Sequence, residues 1–281
     1  MANEPDLSAA QMIATLPVLS DGFSPFDRQV HTQLAFGKIP ARRRYELFFE
    51  RYRSAAEIIS TQLGRRAGSR DLRVLDVGCG EGFFKFFLND LKAKWHGIEI
   101  WEDRARYCEE LGYKVHRIDM EQDDLPWPDA HFDVVLASHV IEHIHDVPRA
   151  LGQMRRVLKP GGLLLVATPT KPPLVAPLMN WLYKLRQKNV GDTQNALSAR
   201  SLRRTVLELL DWPTSSVIDI RGFRVFSARK RLPLEDWKWF YNVSQFIGKH
   251  CLWAVPEVNL ILRKPDRAES AAARPRLAKA A

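Results

Sequence analysis

Cysteine is scarce in this chain of 281 residues, and long apolar runs are missing. The three cysteines, Cys79, Cys108 and Cys251, are widely separated and fit neither a disulfide framework nor a Cys-x-x-Cys metal site. No run of about 18 apolar residues is present, so the sequence predicts no spanning helix. The start, residues 1–19, lacks the basic and apolar regions of a secretory signal. We therefore expect a protein of the reducing cytoplasm rather than a secreted disulfide scaffold.

Excess positive charge is also missing from the middle of the chain, although the net charge is +9. Residues 71–170 carry 12 basic and 17 acidic side chains, whereas residues 171–281 carry 20 basic and 9 acidic ones. The positive charge therefore belongs to the C-terminal stretch. This distribution argues against a uniformly basic protein that coats nucleic acid.

Short apolar segments alternate with helical patterns over the middle of the chain. Strands are predicted at 72–77, 95–100, 114–118, 132–138 and 163–168, with later ones at 217–220 and 258–262. Most of these segments are apolar on both faces, which is typical of a parallel sheet that helices cover on both sides. A Pro160-Gly161-Gly162 turn is expected before the fifth strand, and Ser198 is expected to cap a helix that reaches Leu210.

The domain organisation follows from the same patterns. Residues 1–70 are expected to form an N-terminal arm that ends in a helix over 42–63. Residues 71–264 are expected to form the main domain, with halves at 71–169 and 170–264. The remainder, 265–281, is rich in Ala, Arg, Pro and Lys and is expected to be a disordered tail.

A glycine-rich loop follows the first predicted strand, in the sequence Asp76-Val77-Gly78-Cys79-Gly80-Glu81-Gly82. Glycines allow close approach of the backbone to a ligand, and the helix that follows presents its N-terminus to the same place. The spacing matches neither the phosphate-binding P-loop nor the G-x-G-x-x-G dinucleotide fingerprint. Glu99 stands about 20 residues past the loop, where a carboxylate can accept hydrogen bonds from ribose hydroxyls.

These residues resemble motif I of the class I S-adenosylmethionine-dependent methyltransferases. Further matches follow in order over residues 71–169, namely Glu99, Asp119-Met120, Leu125–Asp129 with Phe132–Val135, Glu142-His143 and Leu158–Gly162. The resemblance implies an α/β, Rossmann-like, doubly wound sheet of seven strands with the last strand antiparallel. It also implies acceptor-covering insertions after the fifth strand and S-adenosylmethionine as the cofactor.

The resemblance assigns roles to individual residues. It places Asp76 near the amino-acid end of the cofactor, Glu99 at the ribose and Asp119 at the adenine amino group. Arg44 or Tyr45 is expected to cover the cofactor carboxylate. The full predicted cofactor set is Asp76, Gly78, Cys79, Gly80, Gly82, Glu99, Ile100, Asp119, Met120 and Ser138.

The segment His139-Val140-Ile141-Glu142-His143 follows the fourth strand. The pattern H-x-x-E-H also occurs in zinc peptidases, but there it lies within a long helix. Ubiquinone-biosynthesis O-methyltransferases are similar here, with a Glu-x-x-Glu-His segment that can hold a divalent cation, although His139 replaces the first Glu. We predict no metal. His139, Glu142 and His143 are the catalytic candidates, with a histidine as general base for an acceptor hydroxyl; Glu142-His143 as a purely structural pair is the alternative.

The acceptor is expected to be small, lipid-like or a glycan, methylated on oxygen. DNA is disfavoured because Ser138–Ile141 is not of the Asn/Asp-Pro-Pro-Tyr type and no Pro-Cys nucleophile is present. RNA stays open because of the basic C-terminal stretch, as does a non-catalytic cofactor-binding subunit. Aromatic and basic residues over 174–188 and 234–255 suit a lid over an apolar acceptor or peripheral contact with an anionic membrane, although helices that simply pack on the sheet are an alternative. No pattern indicates an oligomeric state.

Overall fold

Seven strands, described in a computed structural model, pair into one mixed sheet. The residues that the structure describes are 43–64, 71–80, 82–88, 91–185, 195–223 and 238–266. The predicted arm over 1–40 and residues 267–281 of the predicted tail lie outside them. The strands are β1 (Leu72–Val77), β2 (Ala93–Ile98), β3 (Lys114–His116), β4 (Phe132–Ser138), β5 (Leu158–Pro169), β6 (Val217–Phe223) and β7 (Glu257–Arg263).

The strand order is β3-β2-β1-β4-β5-β7-β6. Strands β1 to β5 pair in parallel, and β7 runs antiparallel to both β5 and β6. This arrangement confirms the predicted Rossmann-like sheet of seven strands with an antiparallel last strand. The direction of the chain across the sheet reverses between β1 and β4, and in such folds ligands bind outside the carboxyl ends of the strands at this switch point.

Helices cover both faces of the sheet, as the two-sided apolar strands predict. They are α1 (Arg43–Gly64), α2 (Phe83–Phe87), α3 (Glu102–Glu110), α4 (Val147–Val157), α5 (Val175–Leu185), α6 (Ala199–Leu210) and α7 (Lys238–His250). One core cluster joins α4 and α6 to the sheet through Leu151 and Leu202, and a second joins α1 and α2 through Ile59 and Phe84. Within the described ranges, no helix has both the length and the apolar character needed to cross a bilayer.

The helix cap at Ser198 is confirmed, since its hydroxyl accepts a hydrogen bond from the Ser201 N–H at 3.1 Å. Several predicted boundaries are wrong. Strand β5 begins at Leu158, because the Pro160–Gly162 segment is an irregularity within the strand and its Gly161 N–H bonds the Lys264 carbonyl. The helix after the glycine loop, which the apolar pattern extends to Leu91, ends at Phe87, since Leu88 has left the helical conformation. Strand β2 lies two residues earlier than predicted, β3 stops two residues early at His116, and β6 continues three residues further.

Three histidines, His96, His116 and His131, gather around Trp127 at the β2–β3 side of the sheet. The ring centroid of Trp127 lies 5.7 Å from that of His96 and 4.8 Å from that of His116. Burial, followed by the neighbouring rings and nearby cations, lowers the pKa of His96 to about 4. Burial also lowers the pKa of His116 and of His131. The folded protein therefore holds this cluster neutral.

The cluster predicts a specific loss of stability in acid. An unfolded histidine takes up a proton near pH 6.5, so its contribution is present above that pH and is lost as the pH falls towards about 4. His96→Phe removes one of these protonation sites and keeps an aromatic ring. We expect the free energy of unfolding of the variant, measured by urea denaturation, to rise relative to that of the wild type as the pH is lowered from 7 to 5. A difference that stays constant with pH would contradict the neutral cluster.

Candidate functional site

A cleft of about 790 Å³ opens at the carboxyl ends of β1, β2 and β4. Its lining includes seven of the predicted site residues, namely Gly78, Glu99, Ile100, Asp119, Met120, His139 and His143. The other six described ones do not belong to the lining, namely Asp76, Cys79, Gly80, Gly82, Ser138 and Glu142. About half of the predicted residues thus line the cleft, and the others do not belong to its lining.

The glycine loop after β1 depends on left-handed backbone at three positions. The φ angles of Gly78, Gly80 and Gly82 are 65°, 46° and 64°, values that side chains disfavour. A methyl group on Gly78 would also lie 2.7 Å from the Cγ2 atom of Val140. The loop is tied to the next strand, because the Cys79 N–H donates to the Ile98 carbonyl at 3.0 Å. Backbone, rather than side chains, therefore forms this edge of the cleft.

Glu99 lies directly after β2 and fastens the loop to the wall of the cleft. Its Oε2 atom accepts a hydrogen bond from the Gly80 N–H at 3.2 Å. Its Oε1 atom accepts from the Ile100 and Trp101 N–H groups at 2.9 and 3.0 Å. The side chain is 5% exposed, yet it lines the cleft. Three backbone donors thus hold a buried carboxylate at the position predicted for ribose binding.

Asp119 follows β3, the strand next to β2, and lines the same cleft. Its Oδ1 atom accepts from the Glu121 N–H at 2.9 Å, and its Oδ2 atom accepts from Gln122 Nε2 at 3.0 Å. The apolar side chains of Ile118 and Met120 flank it in the lining. The cleft therefore combines a fixed carboxylate with apolar walls at this end, an arrangement suited to a heterocyclic base.

The side chains of Asp76 and Cys79 are buried beneath the wall of the cleft. The Tyr113 hydroxyl donates to Asp76 Oδ2 at 3.1 Å, and burial together with that carboxylate raises the pKa of Tyr113. A hydrogen bond with Cys108, reinforced by burial, likewise raises the pKa of Cys79. Both groups therefore keep their protons, and Cys79 is no nucleophile. Tyr113 is a residue that sequence reasoning missed.

His139 occupies the turn after β4 with a φ of 57°, a strained value for a residue with a side chain. Its Nε2 atom lies 3.0 Å from Glu257 Oε1, and its Nδ1 atom lies 3.3 Å from Glu142 Oε1. Burial and Arg51 lower the pKa of His139, but the two carboxylates outweigh them and raise it above the ordinary value. The two carboxylates thus favour the protonated form of the ring.

Arg51 of α1 completes this group, which we call the ionic cluster (Arg51, His139, Glu142 and Glu257). Its Nη1 atom donates to Glu257 Oε1 at 2.8 Å and lies 3.0 Å from His139 Nε2. Arg51 Nη1 donates a hydrogen bond to His139 Nε2 when that nitrogen lacks a proton, whereas with His139 protonated both cations donate to the one oxygen of Glu257. Arg51, Glu142 and Glu257 are buried.

Sequence reasoning missed Arg51 and Glu257. A weak signal existed for Arg51, because it interrupts the apolar stripe of α1 between Phe48 and Ala55. Glu257 gave none, since an acidic residue before an apolar strand is typical of a surface position. Arg44 and Tyr45 lie on α1, and their side chains fall outside what the structure describes.

His143 stands apart from the ionic cluster although it is close to one member. Its Nε2 atom is 3.9 Å from Glu142 Oε1, beyond hydrogen-bond range. Its Nδ1 atom is buried and lacks a hydrogen-bond partner. The motif forms no α-helix, because only Ile141–His143 make a single 3₁₀ turn. Among the described residues, no three His, Cys, Asp or Glu side chains are arranged to hold a metal ion.

Known proteins resemble this chain in sequence and in fold. A family model described as a methyltransferase domain matches residues 44–209. A Mycolicibacterium smegmatis protein, provisionally named an S-adenosylmethionine-dependent methyltransferase, is 34% identical over 141 residues, which cover 47% of this chain and 49% of that one. A malonyl-[acyl-carrier protein] O-methyltransferase from Pseudescherichia vulneris is 28% identical, with 48% and 51% covered. A ubiquinone/menaquinone biosynthesis C-methyltransferase from Vibrio vulnificus is 34% identical, with 39% and 44% covered.

The chain spans about half the length, or less, of these curated relatives. Solved structures extend the likeness at the level of the fold. One from Galdieria sulphuraria, provisionally named a sarcosine dimethylglycine methyltransferase, has a TM-score of 0.51 at 16% identity and covers 76% of this chain and 86% of that one. Another, from Bacillus halodurans and provisionally named a methyltransferase, has a TM-score of 0.50 at 20% identity, with 74% and 99% covered.

Proposed function

This chain belongs to the methyltransferase-domain family, and on that premise we propose that it transfers the methyl group of S-adenosylmethionine to an acceptor hydroxyl in the cleft. S-adenosylmethionine supplies a methyl group that is bound to a positively charged sulfur. An acceptor atom can attack the carbon of that methyl group directly. The observation that carries the proposal is the buried Glu99 carboxylate, fastened across the glycine loop and facing the cleft. The same combination binds the ribose of nucleotide cofactors in related sheets.

The residues of the cleft fit this cofactor in size and chemistry. A volume of about 790 Å³ is within the usual range for such ligands. Glu99 would accept hydrogen bonds from the ribose hydroxyls, and Asp119 from the adenine amino group. Gly78 would allow the cofactor to approach the backbone closely, and Asp76 would favour its ammonium end through its negative charge. Ile100 and Met120 would pack against the base.

Acceptor activation falls to His143 rather than His139. A base must begin without the proton that it removes, and the carboxylates of Glu142 and Glu257 raise the pKa of His139 and so favour its protonated form. His143 lines the cleft outside those contacts. Since its Nδ1 atom is buried, Nε2 is the nitrogen that would take the acceptor proton. Glu142 Oε1, 3.9 Å away, would stabilise the charge that the ring then gains.

The acceptor is proposed to be a small, lipid-like or glycan molecule. The names of the relatives include both an O- and a C-methyltransferase, so family membership alone does not choose the accepting atom. Oxygen is favoured here because a histidine in the wall suits the deprotonation of a hydroxyl. A panel of quinol, glycan and lipid acceptors, with methyl-labelled S-adenosylmethionine, tests the class directly. Label appearing in RNA instead would favour the RNA-modifying alternative, and no label with intact cofactor binding would favour the non-catalytic one.

Glu99→Gln is expected to weaken binding of S-adenosylmethionine about 10- to 100-fold, measured by titration calorimetry. The substitution removes one charged acceptor for the ribose, and such bonds are worth about 1.5–3 kcal/mol. Glu102→Gln is the matched control, because that side chain is largely exposed and starts the next helix. We expect it to change the affinity less than about twofold.

Two results would contradict the assignment of the cofactor site. The first is wild-type affinity in Glu99→Gln with an unchanged melting temperature. The second is the absence of any S-adenosylmethionine binding by the wild-type protein, which would overturn the proposed function as a whole.

His143→Ala is expected to lower kcat about 10²- to 10⁴-fold with the acceptor identified from the panel, because it removes the proposed base. Cofactor affinity should change little, since the ring is assigned to the acceptor. His145→Ala is the matched control, as His145 is exposed two residues further on. Wild-type turnover in His143→Ala would exclude this residue as the base.

A further inference from the structure

Helix α7 carries apolar side chains on two different faces. Its inner face, Phe240, Ser244, Ile247 and Gly248, packs towards the sheet, and a methyl group on Gly248 would collide with the Gly222 carbonyl of β6. Its outer stripe, Trp239, Val243 and Phe246, is exposed by 55%, 42% and 63%, and Trp253 beyond the helix by 67%. Positions i, i+4 and i+7 share one side of a helix. The inner face explains how α7 packs on its own domain, but it does not explain the outer stripe.

The helix that carries this stripe has basic charged side chains only. Residues 238–250 contain Lys238, Lys249 and His250 and no acidic residue. The sequence before the helix is mixed, with Arg229-Lys230-Arg231 followed by Glu235-Asp236, and it lies outside the described residues. Asp219 of the neighbouring β6 interacts electrostatically with Lys249, so the positive charge here is a net excess. The chain from 171 onwards has a net charge of +11. A partner of this surface must therefore be negatively charged and must accept apolar side chains.

A second helix repeats the pattern at the same end of the strands. Leu178 and Trp181 of α5 are exposed, as is Leu174 just before the helix, and residues 175–185 include no acidic side chain. Helix α5 follows the carboxyl end of β5, and Gly248 of α7 lies against the carboxyl end of β6. Strands β5 and β6 run parallel, since both are antiparallel to β7. Both helices therefore lie towards the carboxyl ends of the strands, where the cleft also opens.

We propose that the outer stripe of α7, together with Trp253, docks on the surface of an anionic phospholipid bilayer. Aromatic rings suit the boundary between headgroups and acyl chains, and lysines beside them gain from anionic lipid. A second copy of this chain would set like charges against each other. Single-stranded RNA would supply negative charge, but the stripe offers it the aliphatic Val243 between its two aromatic rings. The inference goes beyond the proposed function and does not rest on it.

The test uses the full chain without cofactor and vesicles of phosphatidylcholine, either alone or with about a third phosphatidylglycerol. We expect binding to the anionic vesicles only, seen by co-sedimentation, and weakening as salt rises from 0.05 to about 0.5 M. Brominated acyl chains are expected to quench tryptophan fluorescence of the bound wild-type protein, which requires no variant. The absence of binding to anionic vesicles, or binding without quenching, would overturn the proposal.

Variants then locate the surface. The triple change Trp239→Ser, Phe246→Ser and Trp253→Ser is expected to reduce vesicle affinity at least tenfold, and Lys249→Glu about tenfold. Lys92→Glu is the matched charge control, because Lys92 is exposed and precedes β2 at the opposite edge of the sheet. It should change the affinity less than about threefold. Circular dichroism checks that each variant is folded.

Two outcomes count against α7 in particular. Equal losses in Lys249→Glu and Lys92→Glu would indicate diffuse attraction by net charge alone. Retained vesicle binding in a folded triple variant would exclude α7 as the docking surface. A wild-type protein that binds single-stranded RNA tightly but not vesicles, with RNA binding lost in the triple variant, would identify RNA as the partner instead. Because no step requires S-adenosylmethionine, a failure here leaves the calorimetric test of the proposed function intact.

Discussion

The ionic cluster of Arg51, His139, Glu142 and Glu257 is the constraint on which the arrangement around the cleft depends. A buried charge without a partner costs several kcal/mol, so these groups can be buried only together. Each comes from a different segment, namely α1, the turn after β4, the 3₁₀ turn and the start of β7. The cluster therefore fixes α1 against the sheet and holds the strained turn of His139 in place. Asn259 supports it, donating to the Arg51 carbonyl at 2.8 Å.

This constraint divides the work of two neighbouring histidines. His139 lies between two carboxylates that favour its protonated form, whereas His143 lines the cleft outside those short contacts. The proposed chemistry follows from that division, since orientation and proton transfer need different groups. The opposite end of the cleft is organised by backbone, through Glu99 and the glycine loop. The basic, aromatic surface of α7 would bring an apolar acceptor towards the carboxyl ends of the strands, where the cleft opens.

Much of the fold was predictable because it is encoded locally. Apolar strands alternating with helices indicated the parallel sheet, and the glycine loop with Glu99 indicated one wall of the cleft. The ionic cluster was not predictable in this way, since Arg51 and Glu257 are 206 residues apart and only the packing of α1 against β7 brings them together. The start of β5 was missed for a related reason, because Pro160–Gly162 is typical of a turn until its contact with Lys264 is known. The disposition of Tyr113 under Asp76 likewise depends on tertiary packing.

The protonation state of His139 tests this account most directly. Nuclear magnetic resonance with ¹⁵N-labelled histidine reports whether each ring nitrogen carries a proton. Since its pKa is raised, the stabilisation that His139 provides is present below pH 6.5 and is lost only as the pH rises through that higher value. We predict that both nitrogens of His139 are protonated at pH 7 and that Glu257→Gln shifts the titration to lower pH. A neutral His139 ring at pH 7 in the wild-type protein would contradict the ionic cluster and the division of roles that rests on it.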